Sequence, residues 1–169
     1  MKFARYKHDS EVSYAEGATL VFELLKTKPE VITQIFLRPA EKYGEDILKI
    51  LETAKAKNIT ITESSKPFNV LGAKNACLLI AEFKKTNTEI DPTQNHLLLV
   101  NPSDAGNLGT IMRTALAFNI RNIAIIPPAV DHFDPKTVRA SMGALFHLNI
   151  QIYPDFAAYK AQNPSHTTY

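Results

Sequence analysis

Arg113 is the residue whose surroundings most clearly call for chemistry. Its neighbours Leu108, Ile111, Met112, Ala115, Leu116 and Phe118 are apolar at helical spacing. A guanidinium buried among such residues without a partner is costly, so it needs an anion or a carbonyl. Two partners would serve: a nearby carboxylate such as Asp104, or a phosphate or ribose of a bound ligand. Just before this run lies Asn101-Pro102-Ser103-Asp104-Ala105-Gly106-Asn107, a loop of turn-forming residues. Gly106 and Gly109 stand too close for the G-x-G-x-x-G dinucleotide fingerprint, and no Gly-Lys-Ser/Thr phosphate loop occurs. Lys136 and Arg139 flank the expected start of a later helix, a favourable place to hold a phosphate; the plainer reading is a solvated helix face. His8, His96, His132, His147 and His166 show no H-x-x-x-H spacing, so no metal site is expected. The single cysteine, Cys77, can form neither an intramolecular disulfide nor a cysteine-rich zinc site, and its apolar neighbours predict a core position.

The elements that must position Arg113 follow a parallel α/β pattern. His96 to Val100 reads as a buried strand, a helix is expected from about Leu108 to Phe118, and Ile123 to Ile126 reads as the next strand. That order makes a right-handed crossover, and it puts the Asn101 to Asn107 loop at a strand's carboxyl end, where ligands gather in such sheets. Asn107 is the expected N-cap, and Asn119 suits the left-handed position after the helix. Asp134 then caps a short helix with Pro135 at its first position, ending near Met142, and Leu148 to Ile152 forms another strand. No further strong element is expected beyond it.

The first half reads as a smaller α/β unit. Leu20, Val21, Leu24 and Leu25 make an amphipathic helix up to Pro29, and Ile32 to Leu37 a strand. Ile47, Leu48, Ile50, Leu51 and Ala54 share a helix face opposite Lys49, Lys55 and Lys57. Ile59 to Thr62 and Ala76 to Phe83 are further strands, separated by a helix or loop. A polar arm with Lys2, Arg5, Lys7 and His8 precedes them. The polar stretch from Lys84 to Thr93 reads as a linker, dividing the chain into units 1–90 and 91–169.

Composition bounds these readings. The 169 residues are 45% hydrophobic and 21% charged, which suits one medium domain or two small ones. No run approaches the roughly 18 apolar residues of a membrane span and no signal peptide is evident, so a cytoplasmic protein is expected. The net charge of +2 does not by itself point to nucleic acid. Charges are denser in the first unit, which has 14 basic and 12 acidic side chains against 5 and 5 in the second.

The run from Asn101 to Phe118 closely resembles the first motif of the SpoU/TrmH family of RNA ribose 2′-O-methyltransferases, part of the knotted methyltransferase superfamily. Asp134-Pro135-Lys136-Thr137-Val138-Arg139-Ala140-Ser141-Met142-Gly143-Ala144-Leu145-Phe146 is similar to the segment that follows in that family. Glu16-Gly17 before the first helix, with the element order after it, resembles the ribosomal-protein-like RNA-binding domain that precedes many catalytic domains. The resemblance implies an S-adenosylmethionine-dependent enzyme that methylates a ribose 2′-OH of rRNA or tRNA, rRNA being favoured by the accessory domain. It makes Arg113 the catalytic arginine beside the ribose hydroxyl and Asn107 a substrate-positioning residue. Lys136, Arg139, Arg5 and Lys7 become RNA contacts, and a homodimer is implied.

The family pattern continues with a glycine-and-glutamate strand end and a Ser-Leu-Asn segment that form the knot and cradle the cofactor. Neither occurs between Ile150 and Tyr169. The chain is therefore expected to be truncated, with the cofactor-binding residues unassigned, activity and dimerisation in doubt, and an unpaired strand edge that invites association. The alternative function is a non-catalytic RNA-binding module working through the basic arm and Lys49, Lys55 and Lys57.

Overall fold

The computed structural model describes residues 5–168, so Lys2 of the arm lies outside it. Two sheets carry the fold. The first has the order β1-β4-β2-β3, built from β1 (Val12–Glu16), β2 (Ile32–Leu37), β3 (Ile61–Glu63) and β4 (Leu79–Lys84). The central strand β4 is antiparallel to β1 and β2, and β3 is parallel to β2. Side chains alternate as a pleated strand requires. Ala15, Ile35, Leu37, Leu79 and Ala81 join the main core, whereas Tyr14, Phe36 and Ile80 form a cluster with Phe68.

Helix α1 (Ala18–Thr27) buries Leu20, Val21, Leu24 and Leu25, and α2 (Glu45–Ala56) buries Ile47, Ile50, Leu51 and Ala54, all within that main core. The short α3 (Lys66–Leu71) supplies Phe68 to the smaller cluster. Two expectations needed correction here. β1 was not foreseen, because VSYAE is short and mixes polar with apolar residues after a polar arm. Cys77 is half-buried in a turn before β4 and outside the main core, its thiol donating to the Leu79 carbonyl at 3.3 Å.

The second sheet is parallel, with the order β5-β6-β7 from β5 (His96–Val100), β6 (Asn122–Ile126) and β7 (Asn149–Ile152). Ile123 and Ile125 face α4 (Ala105–Ala117), whose Leu108, Met112 and Ala115 are buried in the same main core as the first sheet. Ala124 and Ile126 face the other way, toward Ile90, Tyr153 and Tyr159. Tyr159 belongs to α6 (Phe156–Gln162), a helix capped by Asp155 that the sequence pattern did not reveal. One core thus runs through both sheets across the linker.

The linker also dresses the outer edge of β7. Thr88 Oγ1 accepts from the Ile150 N–H at 2.7 Å and donates to the Ile150 carbonyl at 3.1 Å. The Ile90 N–H donates to Gln151 Oε1 at 3.1 Å. The expected bare edge is therefore capped on this side, and β5 forms the other edge of the sheet.

Candidate active site

Helix α4 begins three residues earlier than its sequence pattern suggests. Its N-cap is Asp104, whose carboxylate accepts from the Asn107 N–H at 2.7 Å. This corrects the expectation for Asn107, which lies in the first turn of the helix. It also removes Asp104 as the partner of Arg113. Asn119 does adopt the left-handed conformation expected after the helix, with φ 58°.

Arg113 is exposed, and among the described residues it makes no ion pair and no side-chain hydrogen bond. Leu108, Met112 and Ala115 of α4 turn inward while the guanidinium, beside Leu116, lines an open groove. The groove lies between α4, α1 and the chain that follows α5 (Pro135–Ala140).

Close helix packing shapes this groove. Gly109 of α4 lies so near α5 that an added Cβ would stand 2.4 Å from Ala140 Cβ and 2.7 Å from the Ser141 nitrogen. After α5 the backbone reverses through Met142, at φ 50°, and Gly143, at φ 93°, into a 3-10 turn, Ala144–His147. Ser141 is fully buried, its hydroxyl donating to the Val138 carbonyl at 2.7 Å. These are structural duties: the segment turns the chain from α5 into the 3-10 turn.

Two further side chains line the groove that sequence reading did not find. Glu23 projects from α1, and His147 lies at the end of the 3-10 turn, with Nε2 3.0 Å from Glu23 Oε2. They are 124 residues apart, so no local pattern links them. A Cβ on Gly143 would meet Glu23 Cγ at 3.0 Å, so the glycine leaves room for this carboxylate. The groove therefore draws on both halves of the chain.

The remaining candidate residues do not converge on it. Asn107 and Arg113, six residues apart on one helix, are separated by about 9 Å along its axis and point to different sides. Lys136 is exposed at the start of α5, its N–H held by the capping Asp134 at 2.8 Å. Arg139 stands in the last turn of α5 rather than at its start, and its Nη1 lies 3.2 Å from Glu16 Oε2 on β1. Burial raises the Glu16 pKa while Arg139 works against that rise. Arg5 and Lys7 are exposed on the arm, on either side of an inward-turned Tyr6.

A three-stranded parallel sheet, a crossover helix whose arginine has no partner among the described residues and a tightly packed second helix make the second half an α/β unit. Comparison with known proteins gives a specific likeness: residues 94–169 match the SpoU rRNA Methylase family. The mouse mitochondrial rRNA methyltransferase 3 is 35% identical over 168 residues, covering 89% of this chain and 40% of that protein. The Bacillus subtilis 23S rRNA guanosine 2′-O-methyltransferase RlmP is 26% identical over 138 residues, covering 80% and 52%. Among solved structures, the SpoU methyltransferase AviRb from Streptomyces viridochromogenes, determined with AdoMet, superposes with a TM-score of 0.74 at 16% identity. It covers 94% of this chain and 62% of AviRb, and at that identity the likeness is one of fold. The chain thus spans about half or less of the length of the two curated relatives named here.

Proposed function

We propose that this chain serves an RNA ribose 2′-O-methyltransferase acting on rRNA with S-adenosylmethionine as methyl donor. The observation that carries this reading is Arg113, a residue of the family's matched region whose exposed guanidinium has no partner among the described residues and lines an open groove. A cation left unpaired by its own fold is available to a phosphodiester or to a developing alkoxide. A guanidinium does not accept a proton, so the role of Arg113 is electrostatic: it steadies the ribose oxygen as the 2′-OH proton passes to water, and it holds the neighbouring phosphate.

Lys136, Arg5 and Lys7 are free to meet phosphate, and Arg139 can offer guanidinium N–H groups not engaged by Glu16. Asn107, exposed in the first turn of α4, is the substrate-positioning residue of this reading. In this reading the 1–90 unit binds RNA and the 91–169 unit belongs to the transferase domain. The working form is a homodimer in the cytoplasm. No helix is long and apolar enough, among the described residues, to cross a membrane.

The residues at the strand ends do not by themselves fit the cofactor. Asp104 and Asp155, the carboxylates nearest the ends of β5 and β7, are engaged in capping α4 and α6, and Val100, Ile152 and Phe156 stand open to solvent. That arrangement favours, as the second reading, an RNA-binding module without catalysis.

One experiment separates the two. Tritiated methyl groups are offered from S-adenosylmethionine to 23S rRNA fragments with the wild-type chain and with Arg113→Ala. Alkali-resistant labelled dinucleotides that vanish in Arg113→Ala support the transferase. RNA binding without transfer supports the module, and neither binding nor transfer overturns both.

A further inference from the structure

Asp131, on the loop after β6, gathers more partners than any helix-capping role requires. The Tyr6 hydroxyl donates to its Oδ2, His8 Nδ1 lies 2.8 Å from the same atom, and Lys85 Nζ lies at 3.5 Å. Its Oδ1 accepts from the Phe133 N–H at 2.8 Å. Lys85 ties the assembly further: it donates to the His8 carbonyl at 2.8 Å and lies 4.9 Å from the Tyr6 ring centre. The Asp131 and Lys85 side chains are only 12% and 15% exposed, so water screens the pair little.

The geometry orients the arm as well as holding it. Tyr6 turns inward, and its two neighbours Arg5 and Lys7 are exposed. Asp131, which holds the phenol, also accepts at its carbonyl from the Asp134 N–H at 3.1 Å, and Asp134 caps the turn of α5 that carries Lys136, so the arm is held on the same loop that leads into Lys136. Polar groups from the first half thus dock a basic segment onto the second half.

We propose that Asp131 is a latch that holds Tyr6 and so fixes Arg5 and Lys7 beside Lys136, forming one phosphate-binding strip for RNA. The proposal rests on the RNA reading above and gives the arm a place in it. Asp131 is a positioning residue that touches no RNA; the cations make the contact. A flexible arm would lose entropy on each encounter, whereas a latched one presents its charges in register.

The test uses the full chain, a 23S rRNA fragment and four variants: Asp131→Asn, Tyr6→Phe, the double variant Arg5→Ala/Lys7→Ala, and that double variant combined with Asp131→Asn. Trypsin cleavage after Arg5 and Lys7 reads the latch, and RNA affinity over a range of salt reads the strip. Asp131→Asn and Tyr6→Phe are expected to speed arm cleavage at least tenfold, Tyr6→Phe with the melting temperature little changed and Asp131→Asn with a lowered one, because Lys85 loses its buried partner. Their RNA affinity should fall toward that of the double variant, with the salt slope lowered by about 1.4, the value for two single-strand phosphate contacts. Adding Asp131→Asn to the double variant should cost nothing more. Arm release without loss of affinity overturns the latch, as does an additive loss in the combined variant. Should Asp131→Asn fail to fold, Tyr6→Phe carries the same test with the ring retained. Failure of the wild-type chain to bind RNA overturns the RNA reading together with the latch, whereas wild-type binding indifferent to the variants overturns the latch alone.

Discussion

Gly109 of α4 lies directly against Ala140 of α5, close enough that a Cβ on the glycine would stand 2.4 Å from Ala140 Cβ and 2.6 Å from its carbonyl carbon. The crossing sets where Arg113, one turn further along α4, meets the groove. Gly109→Ala should destabilise the chain despite the roughly 1 kcal/mol by which alanine favours a helix interior. Overpacking costs about 1–3 kcal/mol, and the upper end applies because two of the close atoms are backbone and cannot turn aside. Urea unfolding measures the difference. A variant as stable as the wild type would contradict the close approach.

Arg113 makes no ion pair or side-chain hydrogen bond among the described residues, so Arg113→Ala should leave stability within about 0.5 kcal/mol. RNA affinity or methyl transfer should nonetheless drop at least tenfold. Lysine would restore the charge but lose the planar fork, so Arg113→Lys should recover only part of the function. Thermal melting beside a binding titration separates the two effects, and a large stability loss would reveal a structural role instead.

His132 predicts an acid-side loss of stability. Its ring is buried with Nδ1 unpartnered among the described residues, and burial, opposed by Asp131 and helped by Lys85, lowers its pKa to about 4. In the unfolded chain it titrates near 6.5, so between these values the unfolded state holds more protons and stability falls as pH falls. The full effect is roughly 3 kcal/mol. Unfolding free energies at pH 7, 5.5 and 4.5 check it, with His132→Leu as the non-titrating control. An equally steep slope in that variant would assign the loss elsewhere.

Thr137 carries a fully buried hydroxyl with no hydrogen-bond partner among the described residues. Replacing an unsatisfied hydroxyl by a methyl group removes a desolvation penalty of about 1–3 kcal/mol. Thr137→Val should therefore match or exceed the wild type in melting temperature. A marked loss would show that the hydroxyl has a partner, such as a buried water.

The sequence determined the elements whose signals are local. Apolar residues at helical spacing set α1, α2 and α4, and continuous or alternating apolar runs set β2, β5 and β6. Asp134 and Pro135 set the start of α5, and Asn119 the exit of α4, because caps and left-handed positions depend on one or two residues. The run around Arg113 carried the family resemblance for the same reason: its residues are consecutive.

Tertiary structure decided what depends on distance along the chain. β1 is a strand because β4 pairs with it, and α6 is held by Tyr159 packing beneath the parallel sheet. Asp104 rather than Asn107 became the cap, a choice between two good capping residues that only the helix start resolves. Glu23 reaches His147, and Tyr6 reaches Asp131, across more than 120 residues. Such pairs leave no periodic trace in a single sequence, because their geometry exists only once a shared core has brought the two sheets together.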